Sequence, residues 1–179
     1  PLGLRVIWDT VPLAAGPARE RVMGVCRRHG VRIRNVLVWR THGVMTNAAV
    51  MGVLPAIRYV LLTDSLLDQL SEDEVEAVAA HEVGHAKHRH ILWLAGGLVG
   101  LLTVMTILVA LLAEVLLGGA AREDWSESAT AISAVALSFW AFGFVSRRFE
   151  WQADAFAAQD LSGMATSADI APRIGPVVV

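Results

Sequence analysis

The sequence predicts an α+β fold in which a small antiparallel sheet and a helix with metal-ligand spacing are interrupted by a membrane-crossing helical hairpin. Three observations carry this. Strand-like apolar runs crowd the first third of the chain, HEVGH (81–85) lies within a long capped helical stretch, and two nearly uncharged stretches follow it. The composition agrees: 55% of residues are hydrophobic, 18% are charged and the mean hydropathy is +0.52. A soluble chain is ordinarily about a quarter charged, so part of this one is expected in lipid.

The 179 residues make about one domain. Residues 16–30 read as a helix, with Pro17 in the first turn, Val22, Val25 and Cys26 at helical spacing and Gly30 as a stop. Residues 31–39 alternate Val31 and Ile33 with Arg32 and Arg34 before turning apolar, which is a strand pattern. RTHG then makes a turn, VMTNAAVMG (44–52) is expected to pair back as a second strand, and IRYVLLTD (57–64) is the third. At SEDE, Ser71 is an N-cap and Glu74 the reciprocating third residue of a capping box. The helix it starts runs without a breaker into His81.

From Ile91 to Leu117 the only charged residue is Glu114; at roughly 1.5 Å per residue the stretch is about 40 Å long and can cross a tilted bilayer. A buried core helix is the plainer alternative, and the length disfavours it. Residues 129–145 are also uncharged but shorter, and an interfacial helix competes there. The pair is expected to form a hairpin with residues 118–128 as its polar loop. The resulting division is 1–90 for the first part of a catalytic domain, 91–145 for the hairpin, and 146–179 for the return to the metal site.

His81 and His85 are four residues apart, hence on one helical face, and both imidazoles can reach one ion. Glu82 sits one position round, where a carboxylate can take a proton from a metal-activated water. A catalytic zinc needs a third protein ligand. His88 is seven residues from His81, about 10.5 Å of helix rise and too far to share the ion; His88 and His90 are expected as polar residues at the membrane interface. If the hairpin crosses, Glu123, Asp124 and Glu127 lie on the far side, about 30 Å away. Glu150 and Asp154 return to the near side, four apart, so one can bind metal while the other orients a histidine. A solvated acidic face paired with Arg147 and Arg148 is the plainer alternative. His29 and His42 are rival ligands in predicted turns, where surface histidines are common.

In order, TNAAVMG, YVLLTDSLLDQLSEDEVEAVAAHEVGH, a following His90, a hairpin, and E-x-x-x-D from Glu150 to Asp154 resemble the peptidases of family M48. That group includes the HtpX-type heat-shock proteases and the Ste24-type CAAX prenyl proteases. The resemblance covers about residues 17–160 and implies a zincin-like catalytic domain. It also implies His81, His85 and Glu150 as zinc ligands, one zinc per chain, Glu82 as catalytic base and Asp154 as support for a ligand. Asn47 and Ala48 would lie on the edge strand that receives substrate, a role with a physical basis because an extended peptide can add to a strand edge. Family members carry spans before the catalytic domain and a His- and Arg-containing segment beyond the E-x-x-x-D helix; neither is found here, and the chain is expected to be a piece of a longer protein.

The expected function is a membrane-embedded zinc endopeptidase acting on peptide or protein substrates, in membrane-protein quality control or peptide processing. The competing reading is a metal-binding scaffold or regulatory subunit without catalysis. Glu82 separates them, since a purely structural site needs no carboxylate beside its ligands. A transporter hairpin is disfavoured by spans with almost no ionisable residues. The net charge of −2 and scattered basic residues, 14 Arg with Lys87, argue against a nucleic-acid partner. The lone Cys26 excludes an internal disulfide and reads as a small buried hydrophobe. Lys87, Arg89, Arg147 and Arg148 flank the spans on the catalytic side against Arg122 opposite. The positive-inside rule then places the site on the cytoplasmic face of a multi-pass protein in the cell membrane, with a bacterial source expected. Oligomeric state is left open by the sequence.

Overall fold

The structure is a computed structural model that describes residues 8–117 and 126–163. Strand β1 (Thr10–Pro12) leads to helix α1 (Pro17–Arg28). Pro17 opens α1 because its missing N–H is no loss at a helix start. Val22, Val25 and Cys26 form its buried face.

Strands β2 (Asn35–Trp39), β3 (Ala48–Met51) and β4 (Tyr59–Thr63) complete a sheet in the order β1-β2-β4-β3. The α+β class stands, but the strand pairing differs from the expected antiparallel arrangement. Residues 44–52 do not pair back on β2; β3 pairs with β4, and β2 runs parallel to β4. The reason is β4 itself. Its five residues are all buried, and a strand covered on both faces takes the centre of a sheet. Asp64, just beyond β4, then pins the connection: its carboxylate accepts hydrogen bonds from Thr41 N, Thr41 Oγ1 and His42 N at 2.6–3.0 Å. The chain leaving β2 is thereby held at the end of β4, and β3 forms on the other side.

β3 is consequently an edge. Thr63 N–H donates to Asn47 O at 3.0 Å, so alternation along the ladder turns the N–H and C=O of Ala48 and Val50 away from β4. The return from β3 to β4 is tight. Gly52 adopts φ 97°, and a Cβ there would lie 2.2 Å from Ile57 O, which leaves glycine as the residue that fits.

Helix α2 (Asp64–Gln69) is capped by the Thr63 side chain, and α3 (Glu72–Lys87) by the expected capping box of Ser71 and Glu74. α3 does not run on into the apolar stretch. It stops at Lys87, Arg89 takes the left-handed conformation at φ 56°, and α4 (His90–Leu117) begins afresh. Helix α5 spans Ser126–Leu161.

The chain forms two compact units, one of Pro1–His90 with Glu150–Val179 and one of Ile91–Phe149. In the first, Val22 and Val25 of α1, Val60 and Leu62 of β4, and Ala79 and Val83 of α3 share one buried core. An ionic lattice closes it. Glu76 on α3 accepts from Arg21 at 2.6 Å and Arg28 at 2.7 Å, while Arg28 also reaches Asp160 at 2.7 Å, whose side chain is 1% exposed. In the second unit, α4 and α5 are long and apolar enough to cross a bilayer. Val115 and Trp140 point outward, and the Thr103 and Thr106 hydroxyls donate to carbonyls one turn back, which satisfies them within the helix itself. Of the expected loop 118–128, Glu123 and Asp124 lie outside the described residues, and Glu127 falls in the first turn of α5.

Candidate metal and catalytic site

His81 and His85 lie one turn apart on α3, with their Nε2 atoms 3.1 Å from each other. Glu150 on α5 brings Oε2 to 3.5 Å from His81 Nε2 and 3.6 Å from His85 Nε2. A tetrahedral ion held at about 2.0–2.1 Å requires donors roughly 3.3–3.4 Å apart, so this nearly equilateral triangle fits zinc. Two imidazoles and a carboxylate are also a donor set of catalytic zinc sites, which keep a fourth position open. Among the described residues these three form the one cluster whose donor atoms all approach within 4.8 Å. The Glu150 side chain is 53% exposed, so the triangle is open to water on that side.

Gly84 is what lets α5 come so near. A Cβ at that position would meet Phe156 Cδ1 at 3.0 Å and Ala153 Cα at 3.5 Å. The glycine of HEVGH therefore acts as a docking notch for the segment carrying Glu150 and Asp154. Asp154 Oδ1 lies 2.9 Å from His81 Nδ1, close enough for a hydrogen bond but not aligned for one.

Glu82, on α3, is half-buried and meets the edge strand at the Val50 backbone. Burial pushes its carboxyl up to about 7; the Glu150 charge adds to this, while His81 and a hydrogen bond with the Val50 backbone oppose it. A carboxyl poised near neutrality is suited to accept and return a proton at physiological pH. Burial likewise lowers the His85 ring below its ordinary value, against the pull of Glu150. A neutral imidazole is the form that binds metal.

The expected substrate residues sit at the start of β3. Asn47 Oδ1 accepts the outward Ala48 N–H at 2.8 Å, and Asn47 N donates to Thr63 Oγ1 at 3.0 Å. The rival histidines are elsewhere: His29 Nε2 contacts Asp160 Oδ1 at 2.8 Å, and His42 is an exposed turn residue at φ 55°.

His90, expected as a polar residue at the membrane interface, is 2% exposed and packed against His85, with Nδ1 2.9 Å from His85 Nδ1 and Nε2 3.0 Å from Gln152 Oε1. Had α3 continued, His90 would stand about 140° round the axis from His85. The left-handed Arg89 turns it back instead. Gln152 carried no signal in the sequence; its position between Glu150 and Asp154 is the only hint.

The sequence profile of peptidase family M48 matches residues 19–170. A protease HtpX homolog from Aeropyrum pernix is 45% identical over 67 residues, covering 37% of this chain and 20% of that protein. One from Thermoplasma acidophilum is 37% identical over 79 residues, covering 44% and 24%. Both relatives are archaeal and lend no support to the bacterial source expected above. Among solved structures, Ste24p from S. mikatae shares the fold with a TM-score of 0.58 at 20% identity, over 90% of this chain and 42% of that one. The chain thus spans less than half the length of each of these proteins.

Proposed function

The chain belongs to peptidase family M48, and from that premise we propose that it is the metal-binding core of a membrane-embedded zinc endopeptidase. The observation that carries this is the convergence of His81, His85 and Glu150 on one point with Glu82 beside it. His81, His85 and Glu150 hold one zinc ion, which supplies a Lewis acid able to acidify water and polarise a peptide carbonyl. Asp154 orients the His81 ring. Glu82 takes the proton of the attacking water and delivers it to the leaving amine.

Substrate adds as an extended strand to the open edge of β3. The outward Ala48 and Val50 amides are held by Asn47 and Glu82 in the free protein, so an incoming strand exchanges those partners for its own carbonyls. Extended polypeptide is the substrate class this fits, in membrane-protein quality control or peptide processing. The charges flanking the spans favour a cytoplasmic site in a multi-pass protein.

Metal analysis of purified protein tests the ligand set. Wild type should carry about one zinc per chain and Glu150→Ala much less; undiminished zinc in the variant removes Glu150 from the site.

A further inference from the structure

We propose that His90 and Gln152 are positioning residues that fix the ring tautomer of His85, keeping its Nε2 lone pair available for metal. This rests on reading the His81–His85–Glu150 cluster as a metal centre. It concerns the order of protons along three contacts leading away from that centre.

Gln152 presents Oε1 to His90 Nε2 at 3.0 Å and Nε2 to His88 Nδ1 at 3.5 Å. An amide oxygen only accepts, so His90 Nε2 carries the proton. A neutral imidazole protonated on Nε2 has its lone pair on Nδ1. That atom faces His85 Nδ1 at 2.9 Å, so His85 Nδ1 must be the donor. The His85 Nε2 lone pair then faces His81 Nε2 and Glu150 Oε2, 3.1 and 3.6 Å away. Turning the Gln152 amide over reverses every step, putting a proton on His85 Nε2 and closing it to metal. The polarity of the chain therefore decides whether the site can load.

The two imidazole ligands are supported differently. His81 has a carboxylate, Asp154, at its Nδ1, while His85 has the His90 ring, which is 2% exposed and ends on an amide. A ring in place of a carboxylate orients His85 without adding negative charge beside Glu150. Ligand-orienting partners of this kind are worth roughly 10–100-fold in metal affinity.

The test uses the whole chain in detergent micelles with zinc as the probe. Nitrogen-15 NMR of histidine-labelled, metal-free protein should show His85, assigned by loss of its signals in His85→Gln, protonated on Nδ1. Competition against a chromophoric chelator should show His90→Phe, which has a ring but no acceptor, binding zinc about 10–100-fold more weakly. His90→Asn, whose Oδ1 occupies the place of Nδ1, should recover most of the loss. Should His90→Phe fail to fold, Gln152 decides, since it is exposed. Gln152→Leu should weaken zinc by less than His90→Phe, because water can replace the amide oxygen, and Gln152→Glu should preserve it. A metal-free His85 protonated on Nε2, or zinc affinity unchanged in both His90→Phe and Gln152→Leu, overturns the proposal. If wild type binds no zinc, or His85→Gln keeps it, the metal-centre reading fails instead, and the NMR result still judges the proton order.

Discussion

Glu82 shows how the site sets one residue's chemistry. Its carboxyl is held near 7 rather than at the ordinary 4.5, chiefly by burial. The folded state therefore prefers it protonated, and its charge costs stability as pH rises from about 4.5 through 7, fully so above 7. The sign gives a test on metal-free protein. At pH 8, Glu82→Gln should raise the thermal midpoint, the gain being on the order of 2–3 kcal/mol at most. Below about pH 4.5 the difference should vanish. Equal midpoints at pH 8 would show that the carboxyl is not desolvated. In zinc-loaded protein the same variant should keep its metal and lose about 10²–10⁴-fold in peptide cleavage. Wild-type turnover should fall as pH drops below about 7 and Glu82 takes up its proton, with the midpoint moved lower by the bound cation.

At the scale of elements, the meeting of α3 with the end of α5 makes the site. Gly84 permits it, with Phe156 and Ala153 filling the space a side chain would need. Gly84→Ala tests this, because two effects oppose each other. Alanine favours the helix by about 1 kcal/mol, while crowding against Phe156 costs about 1–3 kcal/mol. Thermal stability should move little, whereas zinc affinity should fall clearly because Glu150 is displaced from the histidines. A chelator titration matching wild type would mean that Phe156 yields without moving α5. Strand β4 makes the complementary point. Its apolar run was readable in the sequence as a strand, yet its central place between β2 and β3 followed from being buried on both faces.

Across the whole molecule, the lattice of Arg21, Arg28, Glu76 and Asp160 ties residues up to 132 positions apart. Burial alone would raise the Glu76 carboxyl, but hydrogen bonds from Arg21 and Arg28 outweigh it and hold the group below its ordinary value. Stability from this depressed carboxyl is present above its unfolded pKa and is lost as pH falls through the folded one. Glu76→Gln should lower stability at pH 7 by about 1–3 kcal/mol, and denaturant midpoints should converge with wild type under acid. A gap that persists at pH 2 would assign the effect to packing instead. Topology is tested separately in a Cys26→Ser background. An impermeant thiol reagent applied from outside cells should label a cysteine at Ser126 but not one at Gln159; equal labelling would mean that residues between them do not cross.

Much was determined by local chemistry alone. The capping box, the i,i+4 spacing of His81 and His85, and the low charge of residues 91–117 are short-range patterns, and each element they predict is present. The spacing of Glu150 and Asp154 marked a pair of carboxylates, but not which of them faces both histidines. Only tertiary packing decided that, by docking Ala153 and Phe156 on Gly84 so that Glu150 points at the Nε2 atoms and Asp154 at His81 Nδ1. His90 was misplaced for the same reason. Helical periodicity continues a pattern until something stops it, and a left-handed arginine between His88 and His90, with no Gly or Pro nearby to signal a stop, leaves no mark in the sequence. That one backbone turn brings a buried histidine to within 2.9 Å of His85, behind the candidate metal site.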